Sequence, residues 1–151
     1  MAVGMVTLMA FQQGPSKQTH PVKAKSIPAK KPAAKPALAG TVMDRGKTVY
    51  MKRCLACHQA DGGGVPNLNA PLDGATAVKG SDKAKLIRYV LKGFNERVEL
   101  DGETYSNNMA PLPDLSDQEI ADVLTFVRNS WSNKASAVSP SEVKSVRAKI
   151  K

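Results

Sequence analysis

The sequence predicts an all-α domain of three core helices, with one short β-hairpin and a peripheral helix at the carboxyl end. Apolar side chains recur at helical spacing along the main segments, and residues that favour helix starts stand at the head of these segments. The alternation typical of strands is confined to one short stretch around an Asp-Gly pair. With 151 residues, the chain has room for one such domain and for no second large core.

The amino-terminal part of the chain differs in composition from the rest. Residues 1–13 begin with an apolar run that is too short to span a bilayer and matches the core of an export signal, although no Lys or Arg precedes it. Residues 14–40 hold five of the ten prolines and predict a disordered linker rich in Lys, Pro and Ala. Residues 1–43 contain six lysines and no acidic residue, so most of the net charge of +9 lies there. Such a tail could contact an anionic membrane surface or an acidic partner, whereas the lack of interleaved aromatic residues argues against nucleic acid.

The first helix is predicted to begin at Asp44, as its N-cap, and to run into the segment around Cys54. Gly46 and Tyr50 are four residues apart and therefore share one face of this helix. A glycine on that face permits the close approach of another helix, because it carries no side chain. We therefore expect the first helix to pack closely against a neighbour at Gly46.

The second and third helices each present one apolar face. The second follows Ser81 as its N-cap and presents Leu86, Ile87, Val90, Leu91 and Phe94. The third begins at Ser116, where Glu119 completes a capping box, and presents Ile120, Val123, Leu124, Val127 and Trp131. Phe126 falls off this face, so we expect the third helix to have two packing partners.

The remaining segments contain turns, an irregular loop and one more helix. Asp101-Gly102 favours a type I′ turn between short strands at 98–100 and 103–105, and this hairpin leads on to Met109. Residues 59–75 are rich in Gly, Pro and Asn and predict a long irregular loop. A last helix is predicted from Ser139, with Pro140 in its first turn and Glu142 completing a capping box. It has few apolar positions, so we expect it to be peripheral and frayed.

The run Cys54-Leu55-Ala56-Cys57-His58 is a C-x-x-C-H motif, the pattern of covalent haem attachment. Two thiols at this spacing can add to the two vinyl groups of one porphyrin, and the adjacent imidazole then reaches the iron. A thioredoxin-like dithiol does not need the histidine, and zinc would need two more ligands that this chain can hardly supply. Both cysteines of the chain lie in the motif, so the sequence predicts one haem c. Because attachment follows export, the motif also predicts a periplasmic or otherwise extracytoplasmic location.

The ligand on the other face of the iron decides the chemistry. A methionine thioether raises the reduction potential and closes the site to added ligands, whereas an open position would permit peroxide or gas chemistry. Met109 lies in a proline-flanked loop some 51 residues after His58, and we predict that these two residues are the axial ligands. Five methionines are excluded or disfavoured because they lie in the export segment, at the linker edge or too near the motif: Met1, Met5, Met9, Met43 and Met51. His20, in the linker, is a second imidazole that could in principle bind iron.

Several short motifs extend this pattern beyond the cysteines. They are Gly46-x-x-x-Tyr50-x-x-x-Cys54, Gly102-x-x-Tyr105, the run LSDQEIADVL at 115–124 and Asn129-Ser130-Trp131. Through them residues 42–131 resemble a class I c-type cytochrome domain, and are similar to the cytochrome domains that accompany quinoprotein sugar or alcohol dehydrogenases. Phe126 falls where that family places an aromatic residue against the first helix. The family usually has Met-Pro, whereas here Ala110 separates Met109 from Pro111.

The resemblance implies a cytochrome c fold, with the three core helices around the covalent haem, over residues 41–133, followed by an extension helix over 134–151. It also implies that a loop carbonyl accepts a hydrogen bond from the proximal His58. Gly64-Val65-Pro66-Asn67-Leu68 is the favoured match, so Pro66 is included among the cofactor-binding residues. Ala70-Pro71-Leu72 is an alternative register, and a third interpretation is that Pro66 only shapes a turn.

The function implied by the resemblance is that of a one-electron carrier in which no residue acts as acid, base or nucleophile. It would take electrons from a periplasmic dehydrogenase and pass them toward a terminal oxidase or another cytochrome. Two other functions use the same motif with an open distal position, namely a haem peroxidase-like enzyme and a gas-binding haem sensor. The lack of a distal His and Arg constellation argues against the peroxidase.

Overall fold

The computed structural model describes residues 40–150. The predicted export segment, nearly all of the predicted linker, His20 within it, and Lys151 lie outside the described residues. The described part contains six helices and two strands, namely α1 (Val42–Arg53), α2 (Leu55–His58), α3 (Thr76–Lys79), α4 (Lys83–Lys92), β1 (Val98–Leu100), β2 (Glu103–Tyr105), α5 (Asp117–Arg128) and α6 (Pro140–Arg147). The predicted all-α class with one small hairpin is confirmed.

Helices α1 and α5 pack at close range in the centre of the domain. Gly46 is buried at their contact, where a Cβ atom on it would lie 2.2 Å from the main-chain oxygen of Asp122. The predicted close approach at Gly46 is therefore confirmed. Beside it, the buried carboxylate of Asp122 accepts hydrogen bonds from Arg45 at 2.6 and 3.0 Å. This bidentate pair fixes the two helices in register, because the guanidinium fork matches the carboxylate geometry.

Two of the predicted helix starts are displaced by a few residues. Helix α1 begins after Thr41, which is its N-cap. Asp44 lies at the third helical position and completes a capping box with Thr41. The Thr41 hydroxyl accepts from the Asp44 N–H at 3.2 Å while the Asp44 carboxylate accepts from the Thr41 N–H at 3.2 Å, so the two residues satisfy each other. Helix α4 is capped by Asp82 and not by Ser81, because the Asp82 carboxylate reaches the Lys85 N–H at 2.9 Å.

The predicted apolar faces form the core, although two aromatic residues extend beyond their helices. Helix α4 ends at Lys92 and helix α5 at Arg128, so Phe94 and Trp131 lie in the following turns. The core consists of buried residues from α1, α3, α4, α5 and the segment before and within α6: Val49, Tyr50, Ala75, Val78, Leu86, Ile87, Val90, Leu91, Leu115, Ile120, Ala121, Val123, Leu124, Val127, Val138 and Val143.

The last helix packs more firmly than its sequence suggested. The predicted capping box of Ser139 and Glu142 is present. Val143 is fully buried against the core, and Arg147 donates to Asp117 at 2.7 Å and to the Leu115 carbonyl at 2.6 Å. Few apolar positions suffice here because one buried valine and the ion pair hold the helix in place.

The hairpin and the long loop supply the irregular part of the domain. Strands β1 and β2 pair antiparallel, and the turn residues Asp101 and Gly102 both have positive φ angles, 53° and 87°, as a type I′ turn requires. The predicted hairpin is thus confirmed. The irregular loop follows α2 and ends at the short helix α3, which the sequence did not predict. None of the helices within residues 40–150 is long and apolar enough to cross a membrane.

Candidate functional site

The C-x-x-C-H motif opens onto a cavity of about 240 Å³ in the middle of the domain. One water needs only about 10–15 Å³ of such space, so the cavity is far larger than the voids of a packed core. Cys54, Cys57, His58 and Met109 all line it. The rest of the wall is largely apolar and comes from the loop 69–72, helices α3, α4 and α5, and the segment 107–112. Residues that are far apart in the sequence are therefore brought to one chamber.

The motif itself forms a single helical turn. The Cys57 and His58 N–H groups both donate to the Cys54 carbonyl, at 3.2 and 2.9 Å. Residues three and four apart lie on one face of a helix, so both sulfurs and the imidazole are directed to the same side. The turn ends at Gln59, whose φ is 61° and whose carbonyl accepts from the Tyr50 hydroxyl at 2.6 Å. This contact ties the end of the motif to the centre of α1.

The surroundings of Cys54 do not fit a redox dithiol, and those of the motif do not fit a zinc site. Burial raises the pKa of the Cys54 thiol to about 11, whereas reactive dithiols depend on a lowered thiol pKa. Within residues 40–150, no group of three or more His, Cys, Asp or Glu side chains is placed to hold a metal ion. Two cysteines and one histidine beside a large apolar cavity fit covalent haem attachment, as the sequence predicted.

The imidazole of His58 is oriented by a main-chain carbonyl. Its Nδ1 lies 2.9 Å from the Ala70 oxygen. Because a carbonyl can only accept, Nδ1 carries the proton and the lone pair is left on Nε2, the atom available to a metal. Burial lowers the pKa of His58, and the hydrogen bond to Ala70 opposes this in part. The lowered pKa favours the neutral ring, which is the form that binds iron.

The carbonyl that accepts from His58 lies outside the loop segment that the sequence analysis favoured. The acceptor lies in the alternative segment Ala70-Pro71-Leu72, and the prediction that placed it near Pro66 was wrong. Val65 and Asn69 pair with each other, with N–H to carbonyl distances of 2.8 and 2.9 Å, so the intervening turn closes on itself. This turn leaves Pro66 exposed and away from the cavity wall. Pro66 therefore shapes a turn, the third interpretation of this residue.

Met109 is held against the end of α4. It forms an antiparallel bridge with Phe94, in which each N–H donates to the carbonyl of the other at 2.9 and 3.0 Å. The adjacent Gly93 has a φ of 60° and packs so closely that a Cβ on it would lie 2.1 Å from the Met109 oxygen. Further along the loop, the Leu112 N–H donates to the Val90 carbonyl at 2.8 Å. By contrast, Met43 and Met51 are exposed and do not line the cavity.

Three aromatic rings pack together where α1, α5 and the loop after the motif meet. The ring centroids of Tyr50, Phe126 and Trp131 are 5.5 to 6.0 Å apart in tilted and edge-on pairs. The Trp131 indole also donates to the Ala60 carbonyl at 3.0 Å. Phe126 thus reaches α1, which is the second packing partner that its position off the main face predicted. These contacts hold the loop after the motif onto both core helices.

One buried residue of structural importance was missed at the level of sequence. Arg128, at the end of α5, is 1% exposed. Its guanidinium donates to the Val78 carbonyl, to the Gly80 carbonyl at 2.9 Å and to the Ser136 carbonyl at 2.8 Å. Val78 lines the cavity, so Arg128 supports one wall of it from behind. The sequence did not indicate that Arg128 is buried, because a basic residue in the last turn of a helix is usually solvent-exposed and stabilises the helix dipole.

The comparison with known families agrees with this geometry. Residues 43–131 match the family model described as Cytochrome c. This range includes the motif, the hairpin, Met109 and helix α5, and stops before α6.

Individual relatives include a cytochrome c-552 and the cytochrome c subunits of two dehydrogenases. Cytochrome c-552 of Thermus thermophilus is 34% identical over 112 residues, which are 69% of this chain and 85% of that protein. The cytochrome c subunit of the quinone alcohol dehydrogenase of Gluconacetobacter polyoxogenes is 36% identical over 107 residues, or 66% of this chain and 21% of that subunit. The cytochrome c subunit of gluconate 2-dehydrogenase of Pantoea cypripedii is 36% identical over 123 residues, or 76% of this chain and 26% of that subunit. This chain therefore spans about a fifth to a quarter of the dehydrogenase subunits.

Proposed function

The chain belongs to the cytochrome c family, whose members carry covalent haem c and transfer electrons, and we propose that it does so with His58 and Met109 as the two axial ligands. The observation that carries the proposal is the convergence of Cys54, Cys57, His58 and Met109 on one largely apolar cavity. Bound haem iron supplies a reversible one-electron change between its ferrous and ferric states. The polypeptide supplies the attachment of the haem, the two ligands of its iron and the apolar surroundings.

Each residue has a defined task in this proposal. Cys54 and Cys57 form thioether bonds that retain the cofactor. His58 presents a neutral Nε2 lone pair, because Ala70 fixes the proton on Nδ1. Met109 would supply a thioether from the segment 107–112 of the wall, and such a ligand would favour the ferrous state and block added ligands. The apolar lining excludes water and so limits the reorganisation that accompanies a change of charge.

Electron exchange is proposed to take place at the edge of the cavity near Cys57, which is exposed. The relatives that are dehydrogenase subunits support a dehydrogenase as electron donor. The C-x-x-C-H motif supports an extracytoplasmic location, because haem attachment follows export. We propose that the acceptor is a terminal oxidase or another cytochrome. The basic amino-terminal segment would hold the carrier near an anionic membrane surface or an acidic partner.

Axial ligation is tested with optical spectra of the haem-loaded full chain. The ferric wild-type protein should be low-spin and show the weak near-infrared band of methionine ligation. Met109→Ala should abolish that band, lower the reduction potential and allow the ferrous protein to bind carbon monoxide rapidly. Met51→Ala is the matched control, because Met51 is exposed and does not line the cavity. A high-spin wild-type spectrum would contradict the proposal and favour an open distal site, and an unchanged Met109→Ala spectrum would contradict it because Met109 would then not be the ligand.

The proposed donor is tested by kinetics. The oxidised protein is mixed with a substrate-reduced quinoprotein alcohol dehydrogenase that lacks its own cytochrome, and haem reduction is followed optically. Reduction that is rapid at low ionic strength and slows with added salt is expected if the basic segment guides the encounter. A variant in which the six lysines of residues 14–40 are replaced by glutamine, with residues 1–13 left intact, should lose most of that salt dependence. Reduction no faster than that by the free substrate would exclude this class of donor.

A further inference from the structure

Two loop segments that each contribute one residue to the cavity wall, Asn69 and Asn107, are joined by a short polar strap, which consists of residues 67–69 and residues 106–107. The Ser106 N–H and hydroxyl both donate to the Asn67 carbonyl, at 3.2 and 2.9 Å. The Asn107 N–H donates to the Leu68 carbonyl at 2.9 Å. The Asn107 side-chain amide donates to the Asn69 side-chain oxygen at 2.7 Å. These hydrogen bonds connect segments that are far apart in the sequence.

The strap lies between the elements that position the two proposed axial ligands. Asn69 directly precedes Ala70, whose carbonyl accepts from His58. Asn107 stands two residues before Met109, and both asparagines line the cavity. Residues 67–69 belong to the turn that Val65 and Asn69 close by pairing with each other. The segment leading to Met109 is thus attached to a constrained turn on the side of the proximal histidine.

The contacts that Met109 itself makes hold it on the side of α4. Its bridge to Phe94 holds the main chain against the end of α4, but the residues before it, at 106–108, are exposed. Without the strap the exposed residues 106–108 would be held at their two ends, by the buried Tyr105 and by the bridge at Met109, and movement of this segment away from the proximal loop would weaken the seating of Met109. The side-chain bond between Asn69 and Asn107 and the bond from the Ser106 hydroxyl are the parts of the strap that substitution can remove.

We propose that Asn69 and Asn107 are positioning residues that keep Met109 seated on the iron by joining the distal loop to the proximal one. The proposal rests on Met109 being the axial ligand, as set out under the proposed function. The strap acts by opposing the outward movement that a competing ligand needs in order to replace the thioether. Its removal should therefore speed ligand replacement and leave haem attachment unchanged.

The test is the binding of imidazole to the ferric, haem-loaded full chain, measured as rate and affinity well below the unfolding temperature. Asn107→Ala and Asn69→Ala should each raise both by about two- to tenfold, the range expected for one hydrogen bond. The double variant should behave like either single variant, because both substitutions remove the same bond. Asn95→Ala, at an exposed asparagine outside the strap, is the matched control and should bind imidazole like the wild type.

Several outcomes would overturn the proposal. Additive effects of the two substitutions would mean that each amide acts separately on the bound cofactor, and unchanged imidazole binding would mean that the strap has no influence on Met109. If either asparagine variant fails to incorporate haem, Ser106→Ala removes one hydroxyl donor with little disturbance. Faster imidazole binding in that variant supports the strap, and a wild-type rate refutes it. A merely structural role would lower the unfolding temperature of the variants and leave imidazole binding unaltered.

The failure of the proposed function would be visible separately. If the ferric wild-type protein lacks the near-infrared methionine band, Met109 is not a ligand and the strap has nothing to position. If the wild type shows the band but the strap variants bind imidazole as it does, only the inference about Asn69 and Asn107 fails.

Discussion

Gly93 offers a sharp perturbation of the distal ligand, because it touches the main chain of Met109. A Cβ atom at this position would lie 2.1 Å from the Met109 oxygen and 2.8 Å from the Pro111 nitrogen. Ordinary van der Waals contact begins at 3.4 Å, so Gly93→Ala requires the Met109 main chain to move by about 1.3 Å. Metal sites tolerate deviations of only about 0.2 Å in ligand distance. The substitution should therefore weaken or break the bond between Met109 and the iron.

The expected energy has two parts, and a control variant at another positive-φ glycine lacks the second of them. Gly93 has φ 60° and ψ −166°, a combination that essentially only glycine adopts, and it costs an alanine about 1–3 kcal/mol. Forcing a methyl group into a packed contact costs about 1–3 kcal/mol more. Gly102→Ala carries a positive-φ cost without a clash, because Gly102 has a φ of 87° and a Cβ atom added to it would meet nothing within 4 Å. The clash with Met109 is therefore reported by the state of the haem ligand, which only Gly93→Ala should change.

The assay compares both variants with the wild type in the haem-loaded ferric state. Gly93→Ala should lose the near-infrared methionine band, bind imidazole more tightly and unfold at lower urea concentration than Gly102→Ala. Gly102→Ala should keep the band and the wild-type imidazole affinity. If Gly93→Ala retains the full band and wild-type affinity, either the loop moves without the ligand or Met109 is not bound to the iron. This outcome would refute the reasoning under both explanations.

Three further predictions concern stability. Arg128→Met should lower the free energy of unfolding by about 3 kcal/mol or more, measured in urea, because buried carbonyls lose their donor, and a loss below about 1 kcal/mol would contradict the structure. The hydrogen bond from Lys83 holds the pKa of Glu142 at about 2, below its ordinary 4.5. The wild type should therefore exceed Glu142→Gln in stability by the whole difference above pH 4.5, and the difference should vanish as the pH falls toward 2. Thermal unfolding of both proteins across that range measures the difference, and a constant difference would contradict the prediction. A Cys54→Ala, Cys57→Ala variant without haem should show no cooperative thermal transition by circular dichroism, because the apolar walls then face an open cavity.

Features that depend on neighbouring residues were the ones that the sequence predicted correctly. The capping boxes at Ser116 and Ser139 each depend on residues three apart in one segment, and both are present. The same applies to the hairpin turn at Asp101-Gly102. At Thr41 the pattern was present but overlooked, since Asp at the third helical position can take the part usually played by Glu.

The errors that bear on the site concerned contacts that join distant segments, whereas the displaced helix starts at Thr41 and Asp82 were local. The acceptor for His58 depends on how the loop 59–75 folds back, and the pairing of Val65 with Asn69 displaces it to Ala70. The burial of Arg128 depends on three carbonyls contributed by the α3 end and by the chain beyond α5. Neither could be deduced from spacing, because loop closure permits several registers of similar local quality.

The sequence by itself determined that this protein carries one covalent haem, because attachment needs only two thiols and an imidazole within one helical turn, Cys54 to His58. It also singled out Met109, because every other methionine was excluded or disfavoured by its position in the chain. The tertiary structure alone decided which carbonyl orients His58 and how the segment before Met109 is strapped to the proximal loop. Those features depend on which segments meet across the cavity, and that is settled only when the helices pack around it.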